Sequence, residues 1–95
     1  MMNEKYLELV QQFVHHWKLN RRTATLLSTA LLAVARHQDH LNTAKTLGIL
    51  MAYQAAGTIE ENQYQEGHDL VSKVSESSTE AEALDIIFNY FAECI

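Results

Sequence analysis

The chain contains no proline, three glycines and one cysteine. Proline and glycine are the strongest breakers of regular structure. Their scarcity in 95 residues rich in leucine, alanine, glutamate and glutamine excludes a loop-dominated fold and predicts helices joined by short polar turns. A lone cysteine, Cys94, excludes an internal disulfide and suits a reducing compartment, so a cytoplasmic location is expected. Long apolar runs are missing too. Leu26 and Leu27 are followed by Ser28 and Thr29, then by Ala30 to Ala35, then by Arg36. That stretch is too short and too polar for a membrane span. The first residues carry Glu4 and Glu8 and no small-residue cleavage site, so no secretory signal is expected.

What is present fits one domain over residues 1–95. The mass is 10.8 kDa and the hydrophobic share is 47%, enough for a single core. A chain this small leaves much apolar surface uncovered, which favours a partner. The net charge of −5 is divided unevenly. Residues 1–57 hold six basic groups (Lys5, Lys18, Arg21, Arg22, Arg36, Lys45) against Glu4, Glu8 and Asp39, a balance of +3. Residues 58–95 hold Lys73 against nine acids, a balance of −8. An acidic half attracts basic surfaces over long range. It disfavours nucleic acid, whose affinity for proteins comes largely from phosphate neutralisation.

Periodicity predicts an all-α antiparallel bundle of four or five helices. Tyr6, Leu9, Val10, Phe13, Val14 and Trp17 recur at helical spacing, with Asn3 as the cap of a helix over 3–17. A second helix, over 23–37, has little polar surface and reads as the central one. The polar run His37-Gln38-Asp39-His40 predicts a turn before a third helix over 41–56. Leu27, Ala30, Val34, His37, Leu41, Ala44, Gly48, Met51 and Ala55 nevertheless keep an unbroken alternation of three and four. One long helix over 23–56 is therefore the alternative, about 50 Å at 1.5 Å per residue. Gly57 suits the left-handed residue that closes a helix. Thr58 with Glu61 forms a capping box for a fourth helix reaching Ser75, with Gly67 at a close crossing. After Glu76-Ser77-Ser78, Thr79 with Glu82, or Ser77 with Glu80, starts a fifth helix. Its apolar stripe is Ala83, Leu84, Ile87, Phe88, Phe91, Ala92 and Ile95.

Chemistry-bearing clusters are few. His37 and His40 share a face only if their helix is continuous, and no third metal ligand lies near. No catalytic, metal or cofactor site is assigned. Glu61, Glu80 and Glu82 read as capping residues, and no nucleophile elbow, phosphate loop or dinucleotide fingerprint occurs. The stretch Thr43-Ala44-Lys45-Thr46-Leu47-Gly48-Ile49 resembles the first helix and turn of the helix-turn-helix in Fis-like bacterial DNA-binding proteins. That resemblance implies a DNA-binding regulator using residues 41–56. The following Leu50-Met51-Ala52-Tyr53-Gln54-Ala55 offers no basic side chain for bases or phosphates.

By subtraction the sequence points to a non-enzymatic protein–protein interaction module: an inhibitor, immunity factor, small chaperone or adaptor. In size and helix count it looks like small bacterial immunity proteins and secretion chaperones. The partner expected is a protein with a basic surface. The residues expected to meet it are Glu66, Asp69, Glu82 and Asp85 of the acidic helix pair, with Tyr90, an aromatic off the main stripe and suited to an interface. Self-association as a homodimer is also expected, because the apolar segment over residues 26–35 and the C-terminal stripe ending in Phe91 and Ile95 are hard to bury in one small chain. A purely structural homodimer subunit is the remaining functional alternative.

Overall fold

Each helix boundary is set by a local backbone feature. A computed structural model describes residues 2–94, with side chains from Glu4 onward. Helix α1, Met2–Trp17, ends at Lys18, whose φ of 60° is left-handed. The backbone is already helical at Met2, so Asn3 is not the cap. Leu19 turns back into the core, and Asn20 caps α2, Arg21–His37, its Oδ1 accepting from the Thr23 N–H at 2.9 Å. The second helix thus starts two residues before Thr23.

Helix α2 closes at Gln38, φ 52°, whose N–H donates to Val34 O at 2.8 Å. Asp39 then caps α3, His40–Ala55, accepting from the Asn42 N–H at 2.7 Å. The continuous helix over 23–56 is thereby excluded. A left-handed residue and an aspartate cap outweigh an apolar alternation that runs straight through them. The break also puts His37 and His40 on different helices. Helix α3 runs unbroken through Gly48, so the Fis-like stretch contains no turn.

The end of α3 is a Schellman closure. Gly57 takes φ +78°, its N–H donates to Gln54 O at 3.0 Å, and the Thr58 N–H donates to Tyr53 O at 2.8 Å. Thr58 is therefore used up in closing α3 and does not cap the next helix. Helix α4, Glu61–Ser75, is capped from Glu60, whose N–H donates to Gln63 Oε1 at 2.8 Å. The capping position lies two residues beyond Thr58. Helix α5, Glu80–Ala92, starts at Thr79, whose Oγ1 accepts from the Glu82 N–H at 3.1 Å, as the sequence implies. Ser77 does not compete for that role. It is buried, donates to Val74 O and accepts from Gln38 Nε2, both at 2.6 Å.

The five helices form an antiparallel bundle of 33 × 25 × 22 Å, with no strand among the described residues. Successive helices pack on one another, and α2 also meets α4 and α5, which makes it the central element. Ala24, Leu27, Leu31, Val34 and Ala35 of α2 are buried, although Leu26 is half exposed. Around them pack Leu9, Val10, Phe13 and Trp17 of α1, Leu70, Val71 and Val74 of α4, and Ala83, Ile87 and Phe91 of α5. Phe13 meets both Trp17 and Phe91 edge-to-face with ring centroids 5.0 Å apart, the arrangement favoured by the aromatic quadrupole. Phe88 and Leu84 pack at the margin of this core, Ala92 is exposed, and Ile95 lies outside the described residues. Gly67 sits at the close crossing expected of it. A Cβ there would lie 3.0 Å from both Trp17 and Leu50. Helix α3 is the least immersed, burying Thr46, Leu50 and Tyr53 against α2 and α4. No described helix is long and apolar enough to cross a membrane.

Candidate functional site between α4 and α5

Helical spacing brings two four-residue stripes together. Glu66, Asp69, Leu70 and Lys73 of α4 face Ile86, Asn89 and Tyr90 of α5 and Glu93, the residue that follows it. Each set has the spacing i, i+3, i+4, i+7, so each lies on one side of its helix. Between them runs an open groove of about 410 Å³. That volume lies within the range of ligand-sized clefts. Leu70 is buried beneath it, and Ile86 and Tyr90 are half-buried, so the groove has an apolar base. Its polar lining holds three carboxylates, those of Glu66, Asp69 and Glu93, and one ammonium, that of Lys73. Among the described residues the one ion pair is Lys5–Glu8 at 3.9 Å on α1, so no described cation is paired with the groove carboxylates.

Tyr90 is the lining residue tied to both α1 and α4. Its hydroxyl accepts from Trp17 Nε1 at 2.9 Å and donates to Glu66 Oε1 at 2.6 Å. Gln63 Nε2 donates to the Trp17 carbonyl at 3.2 Å. The set links α1, α4 and α5 and holds the Glu66 carboxylate against the α5 side of the groove. Burial pushes the Tyr90 phenol above its ordinary value, the hydrogen bond to Glu66 pushes it further, and the Trp17 N–H opposes both. Tyr90 is therefore a neutral donor at physiological pH. Tyr90 lies off the apolar stripe of α5 and is half-buried: α5 packs against α1 and α2 as well as α4, which covers part of the ring, while the rest lines the open groove.

Of the five residues singled out from the sequence, Glu66, Asp69 and Tyr90 line the groove. Glu82 and Asp85 are exposed on α5 outside its lining. Lys73, Asn89, Glu93 and the base residues Leu70 and Ile86 were not singled out. Their signal was the matching step of 66-69-70-73 and 86-89-90-93, which gains meaning only when α4 and α5 pack side by side.

Chemically the groove suits a cation on an alkyl stem. A lysine or arginine side chain can lay its methylenes on an apolar base and keep its charged head among carboxylates at the rim. No group of three or more histidine, cysteine or acidic side chains placed to hold a metal ion occurs among the described residues. Comparison with protein-family models, with curated proteins and with solved structures found no match.

Proposed function

We propose that this chain is a non-enzymatic protein-binding module that receives a basic segment of a partner protein in the groove between α4 and α5. The kinds of protein that act this way include inhibitors, immunity factors, small chaperones and adaptors, and a cytoplasmic setting accords with the single cysteine. The observation that supports the reading is the pairing of an apolar base with three carboxylates and one ammonium, a formal charge of −2, in a cleft of about 410 Å³. Complementary charge raises the rate of encounter and disfavours acidic competitors. The DNA-binding alternative gains no support from α3. That helix carries Lys45 as its one lysine or arginine, and the helix that follows its turn is acidic.

A labelled arginine- and lysine-containing peptide, titrated into the ¹⁵N-labelled protein, tests the reading. The amides of Asp69, Asn89, Tyr90 and Glu93 should shift, and the shifts should weaken with salt and disappear in an Asp69→Asn/Glu93→Gln variant. A basic peptide that leaves those amides unmoved at low salt would sink the proposal. Shifts caused equally by an acidic control peptide would do the same. Binding to random duplex DNA that fades with salt, without a response in the groove, would favour the alternative.

A further inference from the structure

Gly48 is a glycine that nothing among the described residues requires. It lies mid-helix in α3 without a positive φ, and a Cβ placed on it would meet no atom within 4 Å. Gly57 needs its left-handed φ, and Gly67 needs its missing side chain because Trp17 and Leu50 stand 3.0 Å away. An exposed mid-helix glycine weakens the helix relative to alanine. Such a residue is explained when another backbone approaches closely from outside.

The surroundings of Gly48 say what approaches. Leu41 is 77% exposed and Met51 58%, the two most exposed large hydrophobic side chains described. With exposed Ala44, Gly48 and Ala55 they form one stripe along α3 at helical spacing. The chain has twelve acidic residues, yet none lies in α3, and Lys45 is the one lysine or arginine there. The stripe is also complementary to itself. In an antiparallel pair crossing at Gly48, Leu41 meets the small Ala55, and Met51 meets the alkyl stem of Lys45. Gly48 meets Gly48. Every large side chain finds a small or flexible one, and the same contact occurs twice, as a two-fold interface requires.

We propose that this chain forms a reversible homodimer through the outer faces of two α3 helices, antiparallel and centred on Gly48. Size sets the strength. A helix of 16 residues is about 24 Å long and about 10 Å across. Two such strips cover roughly 500 Å², about half of what a stable specific interface needs. The dimer is therefore weak and concentration-dependent. It shares no residue with the α4–α5 groove, so it stands or falls separately from the proposed function.

Sedimentation equilibrium of the full chain, from micromolar concentration to about 1 mM, tests it together with two variants. Wild type should pass from 10.8 kDa towards twice that mass. Gly48→Ala should raise the melting temperature of the dilute monomer, because the new methyl has free space and favours helix. Gly48→Leu should keep the helical circular dichroism of the monomer but weaken dimerisation on the order of tenfold or more, by forcing the helices apart. A single 10.8 kDa species at every concentration overturns the proposal. So does a dimer whose constant is unchanged by Gly48→Leu, since the contact would then lie on another face.

Discussion

The indole N–H of Trp17 donates to the hydroxyl of Tyr90 at 2.9 Å, across 73 positions of sequence. That bond ties α1 to α5, and the same hydroxyl donates a hydrogen bond to Glu66 on α4. Tyr90→Phe keeps the ring and removes both bonds, leaving a largely buried indole N–H without an acceptor. An unsatisfied buried donor costs about 1–3 kcal/mol. Urea denaturation should show a loss in that range, and the Trp17 emission should shift. An unchanged midpoint would mean that water replaces the hydroxyl without loss.

Alkaline pH should weaken the fold through the same residue. The folded-state pKa of Tyr90 lies above its ordinary value because of burial and the bond to Glu66. A raised pKa gives stability that is fully present below the unfolded value of about 10 and is lost as pH rises beyond it. Tyr53, raised by burial, acts in the same direction. Stability should therefore fall above pH ~10, and the fall should be shallower in Tyr90→Phe. Equal slopes in the two proteins would show that Tyr90 ionises as freely folded as unfolded.

Gly67→Ala should destabilise. Helix propensity favours the change by about 1 kcal/mol, but overpacking a tight crossing costs about 1–3 kcal/mol. The second effect should win because Trp17 has little room to retreat. Its ring is packed on Phe13 and its nitrogen is held by Tyr90. A thermal melt showing Gly67→Ala above wild type would mean that Leu50 and Trp17 yield easily.

The start of α4 separates two cap assignments. Gln63→Ala removes the acceptor for the Glu60 N–H and the donor to the Trp17 carbonyl. It should cost about 0.5–1.5 kcal/mol for each bond lost. Thr58→Ala should be near neutral, because Thr58 contributes its backbone N–H to the α3 closure and an alanine has the same N–H. The reverse order of effects in chemical denaturation would restore Thr58 as the cap.

The helices themselves were legible because composition and three-four spacing act over ten or more residues. The turns were less so. The polar run at 37–40 predicts the break between α2 and α3, but the left-handed residue that makes it, Gln38, is invisible in an apolar alternation that passes across it. At Thr58 two helix-end signals overlap, and the closure led by Gly57 takes the residue first. The acidity of the last two helices was plain in the sequence, as were Glu66, Asp69 and Tyr90. The groove was not, because its walls come from two helices and meet only when α4 and α5 pack side by side with Leu70 and Ile87 buried. Glu82 and Asp85 show the same limit. A charge on α5 does not reveal which side of α5 it serves.

The pairing of Phe13 with Phe91 has a consequence for how the chain folds. The two rings lie on the first and last helices, so their contact closes a loop that spans most of the chain. Closing so long a loop carries an entropic penalty that neighbouring helix pairs do not face. Helices α1 to α4 alone would leave the Phe13 ring without the Phe91 ring that packs on it. Docking of α5 is thus what completes the cover over Phe13, joining the two ends of the chain in one core.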